Sequence, residues 1–167
     1  MGQDDSLAGG KAAKSAALAG KLKGLLGLRK SEQGAAPDPQ VATCAILLEM
    51  AESDDDFDPQ ERRLIESMLQ DHFGLDDSQV RDLIAQTEQA RARASDLFPF
   101  THAIAEQYSP EQKLALLVMV WRVIFADGRL NPYEDQLAHR LQRMLSVNHS
   151  LLMDAKRLAR EQSESAP

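Results

Sequence analysis

The chain spells one short motif twice. Residues 54–61 read Asp-Asp-Asp-Phe-Asp-Pro-Gln-Glu, and residues 127–134 read Asp-Gly-Arg-Leu-Asn-Pro-Tyr-Glu. Pro59 and Pro132 lie 73 positions apart, as do Glu61 and Glu134. The same offset sets Asp54 on Asp127, Phe57 on Leu130, Asp58 on Asn131 and Leu64 on Leu137. An apolar run precedes each copy and a helical spacing follows it. That period exceeds the about 20–50 residues of a solenoid repeat, so it describes a duplicated supersecondary unit. Whatever the first half folds into, the second must fold into as well.

The spacing of apolar residues says what that unit is. From residue 40 onward they recur at i, i+3, i+4 and i+7, and no stretch alternates as a strand would. The first helix is expected near 40–53. The second starts after Asp58, with Asp at the N-cap, Pro59 at N1 and Glu61 at N3, which is the pattern of a capping box. Leu64, Ile65, Met68 and Leu69 form its inward stripe, and Gly74 supplies the left-handed residue on which helices end. Asp76 and Gln79 frame a third helix, with Val80, Leu83 and Ile84 inward, reaching about Ala94. A short helix after Pro99 carries Phe100, Ile104 and Ala105. Ser109-Pro110-Glu111-Gln112 opens the most apolar helix, with Leu114, Leu117, Val118, Trp121, Ile124 and Phe125, which is expected to be the central one. Asn131-Pro132-Tyr133-Glu134 opens the next, with Leu137, Leu141 and Met144 inward, and a last helix covers about 148–161. The fold class is therefore all-α: about seven helices, in two pseudo-symmetric three-helix halves running from Val41 to Ile84 and from Leu114 to Leu158.

Charge divides the chain differently. Residues 1–33 hold six Lys/Arg against three Asp/Glu, a net +3, while residues 34–167 hold thirteen against twenty-three, a net −10. Residues 1–37 read as a basic tail and linker rich in Ala, Gly, Lys and Leu, with a short helix conceivable near 11–28. Residues 38–162 read as the helical domain and 163–167 as a disordered end. Leu18, Leu22, Leu25 and Leu26 share one helical face, which suits weak contact with a membrane surface or a partner. At about 100° per residue, however, Lys14 and Lys21 fall close to Leu18, and Gly20, Gly24 and Gly27 each cost about 1 kcal/mol of helix propensity. An unstructured tail therefore stands beside the anchor reading.

The acidic balance argues against general nucleic-acid binding, which needs a basic footprint. A single cysteine, Cys44, sits in an apolar stretch and reads as a small buried hydrophobe. No apolar run approaches the roughly 20 residues of a membrane span, and the acidic N-terminus makes a poor signal peptide. The expected setting is cytoplasmic, with peripheral contact at the inner face of the membrane through the tail.

The residues that carry a family likeness are Tyr108-Ser-Pro-Glu-Gln-Lys-Leu-Ala-Leu-Leu and Val120-Trp-Arg-Val-Ile-Phe-Ala-Asp-Gly-Arg-Leu-Asn-Pro-Tyr-Glu, together with the upstream half-copy Leu48-Glu-Met-Ala-Glu-Ser-Asp-Asp-Asp-Phe-Asp-Pro-Gln-Glu. Over about residues 38–160 the chain resembles the TerB-like tellurite-resistance proteins, whose fold also forms the N-terminal domain of the DjlA membrane co-chaperone. The likeness implies an all-α domain of about seven helices, no enzymatic activity, an association with oxyanion and envelope stress, membrane partners, and a metal site at the acidic residues. The first copy departs from the pattern, with Asp55 where the second has Gly128.

Two readings of the acidic turns follow. Asp54, Asp55, Asp56 and Asp58, with Glu49, Glu52 and Glu61 nearby, form the densest carboxylate cluster, and hard divalent cations take oxygen ligands from such clusters. The turn is not an EF-hand, because positions 6 and 12 counted from Asp54 hold Pro59 and Ile65. The site residues on this reading are Asp54, Asp55, Asp56, Asp58, Glu61, Asp127, Asn131 and Glu134, and the ion is Ca²⁺, Mg²⁺ or Zn²⁺. On the other reading Asp58 and Asn131 are N-caps, Glu61 and Glu134 complete capping boxes, and an arginine (Arg62, Arg63, Arg122 or Arg129) neutralises the remainder.

His72, His102, His139 and His149 are scattered without ligand spacing, and no nucleophile elbow or phosphate loop is present. Arg91 and Arg93 read as a solvated helix face. Met50, Met68, Met119, Met144 and Met153 read as core filler. The leading expectation is a non-catalytic module in a stress-response or membrane-associated assembly, its turns binding a cation or a basic partner. The alternative is a metal-independent protein-interaction domain of the co-chaperone docking kind.

Overall fold

Five short polar side chains start five of the helices. The computed structural model describes residues 35–53, 57–126 and 132–165. Among them seven helices form: α1 Pro39–Ala51, α2 Pro59–Phe73, α3 Asp77–Arg93, α4 Phe98–Gln107, α5 Pro110–Phe125, α6 Pro132–Met144 and α7 His149–Glu164. No strand occurs among the described residues. The chain divides into units Met1–Ala36 and Pro37–Pro167, and all seven helices belong to the second.

Asp38, Asp58, Asp76, Ser109 and Asn148 each accept an amide of the first turn they precede, which satisfies a donor that the helix itself cannot. The reciprocal bonds of a capping box close at Asp76–Gln79 (2.8 and 2.9 Å) and Ser109–Gln112 (3.2 and 2.8 Å). The box expected at Asp58 and Glu61 takes another form. The Asp58 carboxylate accepts from the amide of Gln60 at 3.0 Å, one residue short of Glu61. Glu61 is half-buried, with its Oε2 enclosed. Gly74 ends α2 at φ 65° and ψ 39°, the left-handed region where a Cβ is costly.

The core has two central helices where the sequence suggests one. α5 is buried almost all round, from Leu116 through Val120 and on to Trp121, Val123 and Ile124. α1 matches it: nine of its thirteen residues are buried, Thr43 and Cys44 among them. An amphipathic stripe is missing from α1 because neighbours cover it on several sides. It packs on α2, α3, α4 and α5, while α5 packs on α1, α2, α6 and α7. In each trio the first helix lies mainly against the third, α1 on α3 and α5 on α7. Between the trios, α4 bridges α1 and α6. Burial lifts the Cys44 thiol to about 11 and also raises the Tyr108 phenol. The Tyr108 hydroxyl lies 2.7 Å from Thr43 Oγ1 and donates to the Pro39 carbonyl at 3.3 Å.

Two details of the C-terminal trio differ from expectation. Leu145 takes the core place expected of Met144, which is only half-buried: just past the end of α6, its amide still donates to the Leu141 carbonyl (2.8 Å) before Ser146 turns left-handed at φ 56°. α7 continues to Glu164. Ser163 Oγ donates to the Ala159 carbonyl (2.9 Å) and Ser165 Oγ to that of Glu161 (2.7 Å), so residues 163–164, read as part of a loose end, are its last turn.

Candidate functional site

The first acidic turn is approached by the end of α1. Ala51 is buried, Glu52 donates its amide to the Leu48 carbonyl (2.9 Å), and Ser53 Oγ donates to that of Met50 (2.7 Å). Of the residues expected at the two turns, Asp54, Asp55, Asp56, Asp127 and Asn131 lie outside the described residues, as does the side chain of Glu134. Asp58 is the exposed cap of α2, and Glu61 stands one turn later on the same helix. The tail residues Lys14, Leu18, Lys21, Leu22, Leu25 and Leu26 also lie outside the described residues.

What the structure brings to this corner is Arg91. It was expected on a solvated face, yet its side chain is only 20% exposed and spans from α3 to the end of α1. Nη1 and Nη2 donate to the two oxygens of Glu52 (3.1 and 2.6 Å), and Nη2 also donates to Glu49 at 2.9 Å. A planar guanidinium gripping a carboxylate with two parallel bonds is the strong form of ion pair. The bonds from Glu52 are the main reason the Arg91 pKa stands above its ordinary value. Sequence periodicity contains the signal. Ile84, Thr87 and Arg91 follow i, i+3, i+7 spacing, so Arg91 prolongs the inward stripe of α3. Of the arginines nominated to neutralise the turn, Arg62 pairs with Glu66 on its own helix (3.2 Å), and Arg63 Nε donates to the Pro59 carbonyl (3.3 Å). Arg122 lies in a groove between helices, and Arg129 is outside the described residues.

Two members of the carboxylate cluster, Glu49 and Glu52, are thus committed to a cation of the protein's own. Beside them opens a cleft of about 440 Å³ at the meeting of α1, α3 and α4, where Glu88 and Asp96 face Leu97 and Phe100. Among the described residues no group of three or more His, Cys, Asp or Glu side chains is arranged to hold a metal ion.

A second polar cluster ties the C-terminal trio. His139 and His149, read as scattered, stack with ring centroids 5.8 Å apart and planes 7° from parallel. The short connection from α6 to α7 brings them together. Lys156 Nζ lies 3.8 Å from Asp135 Oδ1 and 4.6 Å from the centre of the Trp121 ring. Trp121 itself is fully enclosed, as expected of a core residue.

The fold and this corner define a class: an all-α scaffold with paired, charge-rich connections and a large enclosed core. A family model described as Tellurite resistance protein TerB matches residues 40–157, a span that starts in α1, ends in α7 and takes in both acidic turns. The chain belongs to the TerB family, whose domains are in general non-catalytic. A search of curated proteins found no match, and neither did a search of solved structures. No helix among the described residues is long and apolar enough to cross a membrane.

Proposed function

We propose that this TerB-family chain is a non-catalytic module that acts by contact. Its acidic turns, Asp54–Glu61 and Asp127–Glu134, take up a divalent cation or the basic side chains of a partner, within a tellurite- or stress-response or a membrane-associated assembly. The observation that carries the reading is the family match itself, which spans both turns and the helices that flank them. A cation at the first turn would draw on Asp54, Asp55, Asp56, Asp58 and Glu61, since Glu49 and Glu52 are held by Arg91. Such an all-oxygen set suits Ca²⁺ or Mg²⁺ better than Zn²⁺.

The test is thermal unfolding and calorimetry with each ion. At 100 times its Kd an ion that binds only the folded chain adds about 2.7 kcal/mol of stability. Asp54→Ala combined with Asp127→Ala should remove that gain. Wild-type protein that gives neither heat nor a thermal shift with Ca²⁺, Mg²⁺ or Zn²⁺ ends the cation reading.

The Arg91 contacts favour a second reading, a metal-independent interaction domain of the co-chaperone docking kind. There the acidic end of α1 is structural, and the Asp54/Asp127 double variant keeps both its stability and its partner. The tail is read as a weak contact for a membrane surface. Liposome flotation of the full chain against a chain lacking residues 1–36 tests it, and equal recovery of the two discards the anchor.

A further inference from the structure

We propose that the chain associates with itself: the acidic cleft between α1, α3 and α4 of one copy receives the basic face of α6 of another. The inference goes beyond the reading of the acidic turns and concerns two other surfaces. The cleft holds about 440 Å³, and Glu49, Glu88 and Asp96 line it against one guanidinium, that of Arg91. Arg91 gives its bonds to Glu49 and Glu52, while Glu88 and Asp96 stand exposed. On α6, Tyr133, Gln136, Arg140 and Arg143 recur at i, i+3, i+7 and i+10, which sets them on one face of the helix, and all four are exposed. They line a groove of about 390 Å³. Neither arginine can pair along its own helix, because no carboxylate stands three or four positions away. Those places hold Gln136, Leu137 and Met144 around Arg140, and His139, Ser146 and Val147 around Arg143.

Two carboxylates on one surface therefore answer two guanidiniums on the other. None of the four, Glu88, Asp96, Arg140 or Arg143, is in an ion pair among the described residues. The surfaces do not neutralise each other within one chain, and a second copy supplies each with its complement in equal number. Each also carries an exposed aromatic ring. Phe98, 60% exposed, and Tyr133, 56% exposed, are the large hydrophobics that stand out of the body among the described residues. Phe98 adjoins the cleft: its amide donates to Asp96 Oδ1 (2.9 Å), and its ring stacks on His102 with centroids 5.4 Å apart. An arginine of the incoming helix can lie over such a ring while its fork reaches a carboxylate. Aromatic rings and arginines are the residues that protein interfaces favour, and complementary charge fixes how the two surfaces meet.

The experiment is sedimentation velocity of the full chain in EDTA, so that cation binding at the turns plays no part. Wild-type protein should associate as its concentration rises, and the association should weaken between about 0.05 and about 0.5 M salt. E88R/D96N spoils the cleft while keeping an acceptor for the Phe98 amide, and R140E/R143E spoils the face of α6. Each alone should weaken association by about tenfold or more. Mixed in equal amounts the two should associate again, because each brings the intact surface that the other lacks; damage to folding would not be mended by mixing. Wild-type protein that stays monomeric at about 1 mM overturns the proposal. So do variants that associate as wild type does, and so does a mixture no more associated than its components. If far-UV circular dichroism shows a charge-reversed variant to be unfolded, E88Q/D96N and R140Q/R143Q, which only remove charge, take the same test and decide it.

Discussion

Replacing Arg91 with alanine should show what the end of α1 depends on. The guanidinium makes three charge-assisted hydrogen bonds, two to Glu52 and one to Glu49, across 39 and 42 residues of sequence. A hydrogen bond to a charged group contributes about 1.5–3 kcal/mol when enclosed, and an exposed ion pair about 0.2–1 kcal/mol. Arg91 is one-fifth exposed, but Glu49 and Glu52 are 43% and 44% exposed, so solvent screening holds the loss toward the lower figures. We expect Arg91→Ala to cost about 1–2 kcal/mol, which for a body of this size lowers Tm by about 4–8 °C. Lysine keeps the charge and loses the fork, so Arg91→Lys should recover only part of it. A double-mutant cycle apportions the loss. Coupling of Arg91 to Glu52, which receives two bonds, should exceed its coupling to Glu49, which receives one. Both couplings should shrink in high salt. Urea unfolding followed by the single Trp121, which is fully buried, reads every variant. An Arg91→Ala protein within about 0.3 kcal/mol of wild type, or a cycle with no coupling to either glutamate, would refute the reasoning and return Arg91 to the solvated face.

Three other outcomes are expected. Gly74→Ala should cost about 1 kcal/mol from backbone strain alone, since an added Cβ would meet nothing within 4 Å at φ +65°, and Gly74→Asn should cost less; thermal unfolding measures both. Cys44 favours the neutral thiol in the folded state, so its contribution is complete below pH 9.0 and is lost as pH rises through about 11, a change of about 2–3 kcal/mol that Cys44→Ala should abolish in alkaline unfolding curves. His72 favours the neutral imidazole in the folded state, so its contribution is present above pH 6.5 and is lost as pH falls below that value, and His72→Gln should flatten the acid limb of the stability profile.

The helices were legible because their punctuation is local. Asp76 with Gln79, Ser109 with Gln112, and Gly74 at the end of α2 act on groups within one turn of themselves, and sequence displays such neighbours directly. The TerB likeness was legible for a related reason: the motif around Asp127–Glu134 is continuous in the chain. What could not be read depends on which helix lies against which. Cys44 reads as buried from its apolar neighbours alone, but the enclosure of Thr43 beside it is decided by the helices that α1 packs on, α3, α4 and α5 among them. Arg91 was assigned to solvent because arginine usually belongs there. Its reach to Glu49 and Glu52 depends on α3 crossing the far end of α1. The stacking of His139 on His149 depends likewise on how sharply α6 turns into α7. At Asp58 the cap bond goes to the Gln60 amide, where Asp76 and Ser109 reach one residue further.

The helix starts speak to the duplication more directly than the turns do. α1 and α5 begin at Pro39 and Pro110, α2 and α6 at Pro59 and Pro132, α3 and α7 at Asp77 and His149, which are separations of 71, 73 and 72 positions. That near-constant interval is the spacing that a copied half with small changes in its connections would leave. On this reading Glu52 and Phe125 occupy equivalent places, each the last residue or cap of the helix that leads into an acidic turn. Their surroundings have diverged. An arginine of the third helix covers each one, but Arg91 does so by bonding a carboxylate, and Arg160 by lying 5.7 Å above a ring. The first contact joins two full charges, whereas the second is a cation–π contact between a charge and a ring quadrupole, so the first should respond more strongly to salt. The helices that lead into the two acidic turns therefore differ in electrostatics, so a probe that responds to charge should tell their ends apart.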